Sequence, residues 1–223
     1  MAAVLQAMWQ ADGAFPSGSF AFSYGIEGLL AWRGNVDAAS LSELIGDLLR
    51  QRWSTYDRVA LLRAFRAGGD IGAIAAVDHD VESSTFGASL REGSRRNGAA
   101  FLASHARLGG VIAPRLRQAV RSGECLGHIV VMQGVVWQAM GLDEQLAQLT
   151  SGYCVASGAI AAAVRLGALG ALEGQKVLAA SLPLIDELVA RPAPENGVLR
   201  SFLPFLEIAA ARHERADLRL FAN

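Results

Sequence analysis

Leu41, Leu44, Ile45, Leu48 and Leu49 recur at intervals of three and four residues, which places them on one face of an α-helix. The same interval returns through most of the chain. Nowhere do apolar and polar residues alternate for long enough to make a convincing strand. The expectation is an all-α fold, a single compact multi-helix bundle over residues 1–223. Hydrophobic residues make up 52% of the chain against 18% charged, enough apolar surface for one large core and too much for a disordered chain. The proline-dense stretch Arg191-Pro192-Ala193-Pro194 is too short to separate domains.

Punctuation residues set the expected helix limits. Val4, Leu5, Met8 and Trp9 form the apolar stripe of a short first helix. Pro16 and Gly18 then break the chain into a shaped loop, with Ser17 or Ser19 placed to cap a second helix over 19–32 that Gly34 stops. Ser40-Leu41-Ser42-Glu43 reads as a capping box opening a helix that kinks at Ser54-Thr55, runs through Phe65 and ends at Gly68-Gly69. Asp70 opens a short helix with Asp78-His79-Asp80 at its end. A longer one follows over 84–108, with Leu90, Phe101, Leu102 and His105 facing inward. Pro114 fits the first turn of the next, and 126–140 is an apolar helix. Asp143 caps a helix running to about 166, whose Ala- and Gly-rich middle suits a central packed element. Further helices are expected over 173–189 and from about Leu199.

Several function classes find no support. The 20 basic and 21 acidic residues are interleaved, so there is no basic footprint for nucleic acid or an anionic membrane. The apolar run from Val155 to Val164 is ended by Arg165, short of the ~20 residues of a membrane span. Two cysteines, Cys125 and Cys154, and a first ten residues without Lys or Arg suit a reducing cytoplasm. None of the four histidines lies i, i+4 to another, and no Cys-x-x-Cys, His-Glu-x-x-His, P-loop or Gly-x-Ser-x-Gly elbow is present. No metal ligand set or cofactor is therefore assigned, although a site shared across a symmetric dimer stays open. Cys154 reads as a small core residue. Asp78-His79-Asp80 is the one triplet suggestive of an enzyme, a small helical hydrolase with His79 as base and Asp78 or Asp80 as its partner. Its competing reading is a solvated helix end.

Three features suggest recognition instead. Phe20 and Tyr24, four apart, would share a helical face with Glu27 beyond them, either plugging the core or forming a recognition corner. Arg165 interrupts an apolar helix, so burial with a partner is expected, the alternative being an arginine finger for a nucleotide hydrolase. The tail ends in the apolar Leu218, Leu220 and Phe221, either docked on its own domain or offered to a partner.

Four ordered segments also carry a resemblance. Pro16, Gly18, Phe20, Ser23, Gly25 and Glu27 match the Pro-x-Gly-x-Phe-x-x-Ser-x-Gly-x-Glu signature of the UreF family of urease accessory proteins. Leu90-Arg91-Glu92-Gly93-Ser94 resembles the family's Arg-Glu-x-Ser helix. Arg165-Leu166, Leu169-Gly170 and Gly174-Gln175 resemble its Arg-Leu-x-x-Leu-Gly-x-x-x-Gly-Gln segment, with Ala168 and Ala171 where Pro and Gln are usual. His213-Glu214 and Arg219-Leu220-Phe221 resemble its tail.

The resemblance implies a non-enzymatic, all-helical homodimer that assembles with a UreD/UreH-type protein and the GTPase UreG to insert nickel into apo-urease. It implies partner-binding roles for Phe20, Tyr24, Glu27, Arg165, Gly170, Gln175, Arg219, Leu220 and Phe221. The tail, about 212–223, is expected to be mobile alone and ordered in the complex.

Overall fold

The computed structural model describes residues 1–19, 22–34, 36–193, 197–213 and Phe221. Among them there is no strand. The helices are α1 (Ala2–Ala11), α2 (Ile26–Arg33), α3 (Ala38–Leu48), α4 (Arg58–Ala67), α5 (Ile71–Ser84), α6 (Ala88–Arg107), α7 (Ala113–Ser122), α8 (Ile129–Ala139), α9 (Glu144–Arg165), α10 (Ala171–Ala190) and α11 (Pro204–His213). A π-helical segment, Leu49–Asp57, joins α3 to α4 without a break.

That π segment answers a geometric problem. Leu41, Ile45, Leu48, Leu49 and Trp53 belong to one apolar core, shared with α2, α9, α10 and α11. From Tyr56 onward the same run serves a second core, shared with α5, α6, α7 and α8. A straight α-helix would keep one stripe facing one way, whereas the wider π turn rotates the stripe from the first core to the second. The expected kink near Ser54 is this change of winding.

Small residues set the closest crossings. A Cβ at Gly134 of α8 would stand 2.4 Å from Leu61 O of α4, and one at Gly28 of α2 would stand 2.5 Å from Ala209 O of α11. α9 is long and apolar enough by composition to cross a membrane. Here it is a central element, packed on α1, α4 and α10.

Several expected boundaries move. α2 begins at Ile26 rather than at residue 19, because Tyr24 (φ 55°) and Gly25 (φ 81°) take left-handed backbone that a helix cannot contain. Ser17 and Ser19 cap nothing; their hydroxyls bond each other at 2.7 Å. Asp37, not the Ser40 box, caps α3, its Oδ1 accepting from Ser40 N at 2.8 Å. α5 extends to Ser84, so Asp78 lies within it rather than at its end. α6, α8 and α11 each start a few residues later than expected. The caps by Asp70 and Asp143, and Pro114 in the first turn of α7, are as expected.

The stripe of α1 faces outward. Ala7 and Gln10 are buried, whereas Val4, Leu5, Met8 and Trp9 are 52%, 62%, 64% and 42% exposed. The small Ala7 side of the helix lies against the protein, and Gln10 Oε1 finds buried partners there.

Candidate functional site

The loop between α1 and α2 is fixed at both ends. Phe15 is buried beside Phe101 and His105, with ring centroids 6.1 and 5.2 Å away, and Ser104 Oγ donates to Pro16 O at 2.7 Å. Gly18, at φ 81°, has no room for a side chain, since a Cβ would meet Ala100 Cβ at 3.0 Å. At the far end the Tyr24 ring stacks edge-on to Phe22, 5.0 Å away, and rests on Gly158 of α9. A Cβ at Gly158 would come within 3.1 Å of the Tyr24 ring, so this glycine makes the seat. Burial pushes the Tyr24 phenol above its usual range.

One turn further, three of the expected recognition residues meet. Glu27, in the first turn of α2, is buried and accepts from the Phe221 N–H at 3.2 Å. The Arg165 guanidinium lies over the Phe221 ring, 4.4 Å from its centroid, and that ring is 4% exposed. The expected burial of Arg165 is not found. It stands exposed at the C-terminal end of α9 and covers the apolar ring, a contact open to a guanidinium because its flat face is weakly hydrated. Arg165 is two helical turns from Gly158, so Tyr24 and Phe221 dock along the same side of α9.

The remaining expected residues lie nearby or outside the described set. Gly170 is the N-cap of α10, its N–H donating to Glu173 Oε2 at 3.2 Å, and Gln175 is exposed one turn on. Phe20, Arg219 and Leu220 lie outside the described residues, as does the rest of the tail from 214 to 220.

Behind the loop is a cavity of about 500 Å³, lined among others by Gln10, Tyr24, Arg52, Asp57, Cys154 and Gln175. Arg52 Nε stands 3.4 Å from Asp57 Oδ2. Burial raises the Asp57 carboxyl above its ordinary value against the opposing pull of Arg52. Burial also pushes the Cys154 thiol up to about 12. Gln10 Oε1 accepts from Trp137 Nε1 and from His105 Nε2, both at 3.0 Å. The Arg52–Asp57 pair was not foreseen, because residues five apart fall on nearly opposite faces of an α-helix and meet only under π winding. Gly158 falls in the Ala- and Gly-rich middle of α9 expected to pack centrally, and nothing in its local sequence marks it as the seat of Tyr24.

The Asp78-His79-Asp80 triplet does not assemble as a base and its partner. Asp78 is fully buried and its oxygens accept from the N–H groups of Leu126, Gly127 and His128 at 2.7, 2.7 and 3.0 Å. This replaces the solvated helix end expected there. Asp80 pairs with Arg63 at 2.6 Å, and His79 is exposed. Among the described residues no group of three His, Cys, Asp or Glu side chains is gathered to hold a metal ion.

The family model described as UreF matches residues 36–182. A protein of Trichodesmium erythraeum (strain IMS101) described as urease accessory protein UreF is 32% identical, covering 98% of this chain and 96% of its own. Proteins with the same description from Cereibacter sphaeroides (strain KD131) and Kocuria rhizophila are 33% and 30% identical, each covering at least 99% of this chain and 98% of their own.

Proposed function

Because this chain belongs to the UreF family of urease accessory proteins, we propose that it serves urease maturation as a non-catalytic scaffold, joining a UreD/UreH-type protein and the GTPase UreG to deliver nickel to apo-urease. The observation that carries the reading is the joint of Glu27, Arg165 and Phe221. It joins the loop signature, the end of α9 and Phe221, so a partner that engages any one of the three is felt at the other two. Tyr24, Gly170 and Gln175 extend that surface, with Phe20, Arg219 and Leu220 assigned to it by the sequence pattern. The protein works in the cytoplasm as a homodimer, and the outward stripe of α1 is the face that a second copy covers. The tail, about 212–223, gains further order around the seated Phe221 when the UreD-type partner binds. Equal amide protection of Leu218–Phe221 with and without that partner would rule this out.

Co-purification with a UreD-type protein and the GTPase tests the reading, comparing the full chain with one truncated after Asp217. A complex that forms with the full chain and is lost on truncation is the expected result. No complex even with the full chain would overturn it. His79→Ala should still support urease activation, whereas loss of a hydrolytic turnover in that variant would favour the hydrolase reading.

A further inference from the structure

The π segment Leu49–Asp57 runs for nine residues, far beyond the single-turn bulge in which π winding usually occurs. Such a stretch needs holding from outside itself. On its inner side Trp53 Nε1 donates to Ser151 Oγ at 3.1 Å and Tyr56 OH to Val81 O at 2.7 Å. On its outer side lies the extended stretch 199–203. Arg200 N donates to Thr55 O and Phe202 N to Gln51 O, each at 3.1 Å, and Thr55 Oγ1 donates back to Arg200 O at 2.7 Å. Leu199 anchors one end of this stretch in the second core and Leu203 anchors the other end in the first. A carbonyl has two lone pairs, so those of Gln51 and Thr55 can take these outer bonds in addition to helical ones.

The winding has a consequence inside. Arg52 and Asp57, which meet at 3.4 Å in the cavity wall, are five residues apart. Relaxation to α winding would turn them to nearly opposite faces and part them.

We propose that 199–203 is a strap that holds Leu49–Asp57 in its π winding, and through it holds the Arg52–Asp57 pair in the cavity wall. The strap continues directly into α11, which packs on α2 beside Glu27. The C-terminal arm and the cavity interior are thus mechanically joined. This goes beyond the scaffold role and does not depend on it.

The test uses the isolated full chain. Amide exchange of 49–57 and maleimide labelling of Cys154, which lines the cavity, are followed by mass spectrometry, with Cys125, buried outside that lining, as internal reference. Thr55→Val removes the hydroxyl that reaches Arg200 O, along with its 3.2 Å bond to Gln51 O inside the segment, and Phe202→Pro removes the N–H that reaches Gln51. Ser54→Ala is the control, since its hydroxyl bonds only Arg50 O within the same segment. Both strap variants should raise 49–57 exchange and Cys154 labelling on the order of three- to tenfold, the worth of one hydrogen bond, with the control unchanged. A folded Thr55→Val protein in which neither rate moves would overturn the proposal. That variant is nearly isosteric, so it decides the question even where Phe202→Pro does not fold.

Discussion

The guanidinium carbon of Arg165 lies over the ring of Phe221, 4.4 Å from its centroid, while the Phe221 N–H donates to the Glu27 carboxylate. One residue near the C-terminus is thereby held by two elements distant in sequence, the end of α9 and the start of α2. The buried ring supplies apolar area and the arginine shields it from water, so an exposed charge and a buried aromatic stabilise each other. Whatever moves Phe221 is felt at Glu27, three residues beyond the left-handed Tyr24.

Arg165→Ala should leave the fold intact. An exposed cation–π contact is worth about 0.5–1 kcal/mol, a shift of a few degrees at most in melting temperature for a chain of this length. The tail should come loose, read as faster amide exchange at Phe221, and affinity for a UreD-type partner should fall. Arg165→Lys keeps the charge without the flat face and should fall between the two. A collapse of the fold in either variant would return Arg165 to the structural role first expected of it.

Asp78→Asn should be far more damaging than its conservative chemistry suggests. Three backbone N–H groups at the start of α8 converge on the carboxylate. An amide offers one acceptor oxygen and turns a donor toward groups that need an acceptor. A cost of about 3 kcal/mol or more in urea unfolding is expected, as for other buried charge-assisted bonds. A cost below about 1 kcal/mol would show that the loop before α8 has other support.

The helical class was legible because periodicity is local: Leu41 to Leu49, the Asp70 and Asp143 caps and Pro114 each announce themselves within a few residues. What failed was set by distant contacts. Tyr24 has helical spacing to Phe20 and Glu27, yet its seat on Gly158 and the left-handed backbone at Tyr24 and Gly25 delay α2. Asp78 looks like a solvated helix end until Leu126–His128 folds across it. Val4, Leu5, Met8 and Trp9 have the right spacing to face inward, and spacing cannot say which side of a helix meets the core. Of the site, Glu27, Arg165 and Phe221 were named in advance from a pattern. Their meeting, and the Arg52–Asp57 pair, depend on chain crossings and on a winding that residue spacing does not encode.

The α1 stripe yields a direct test of assembly. Leu5 and Met8 are 62% and 64% exposed and sit on one face with Val4. Leu5→Arg with Met8→Arg should leave the circular dichroism unchanged, since neither side chain contributes to either core. If this face is the proposed dimer contact, light scattering on a sizing column should report dimer for the parent chain and monomer for the variant. A dimer that survives both charges would place the contact on another face.

His105 makes stability depend on pH in a definable window. It is 2% exposed, its Nε2 bonds Gln10 Oε1, and its neighbours are the rings of Phe101, Phe15 and Trp9 at 4.4, 5.2 and 6.0 Å. Burial among these groups lowers its pKa from 6.5 to about 4. The unfolded chain therefore takes up a proton that the folded chain refuses. The stability this represents is present in full above about pH 6.5 and is lost as the pH falls toward 4, at up to about 1.4 kcal/mol per unit. His128, whose pKa burial also lowers, and the carboxylates add slopes of their own, so the difference between the parent chain and His105→Gln isolates this residue. Urea unfolding at pH 7.5, 6 and 5 should show the parent losing stability faster than the variant as the pH falls, even though the variant starts lower for want of the ring. A difference that stays constant across those three pH values would mean that His105 is protonated in the folded protein as readily as in the unfolded one.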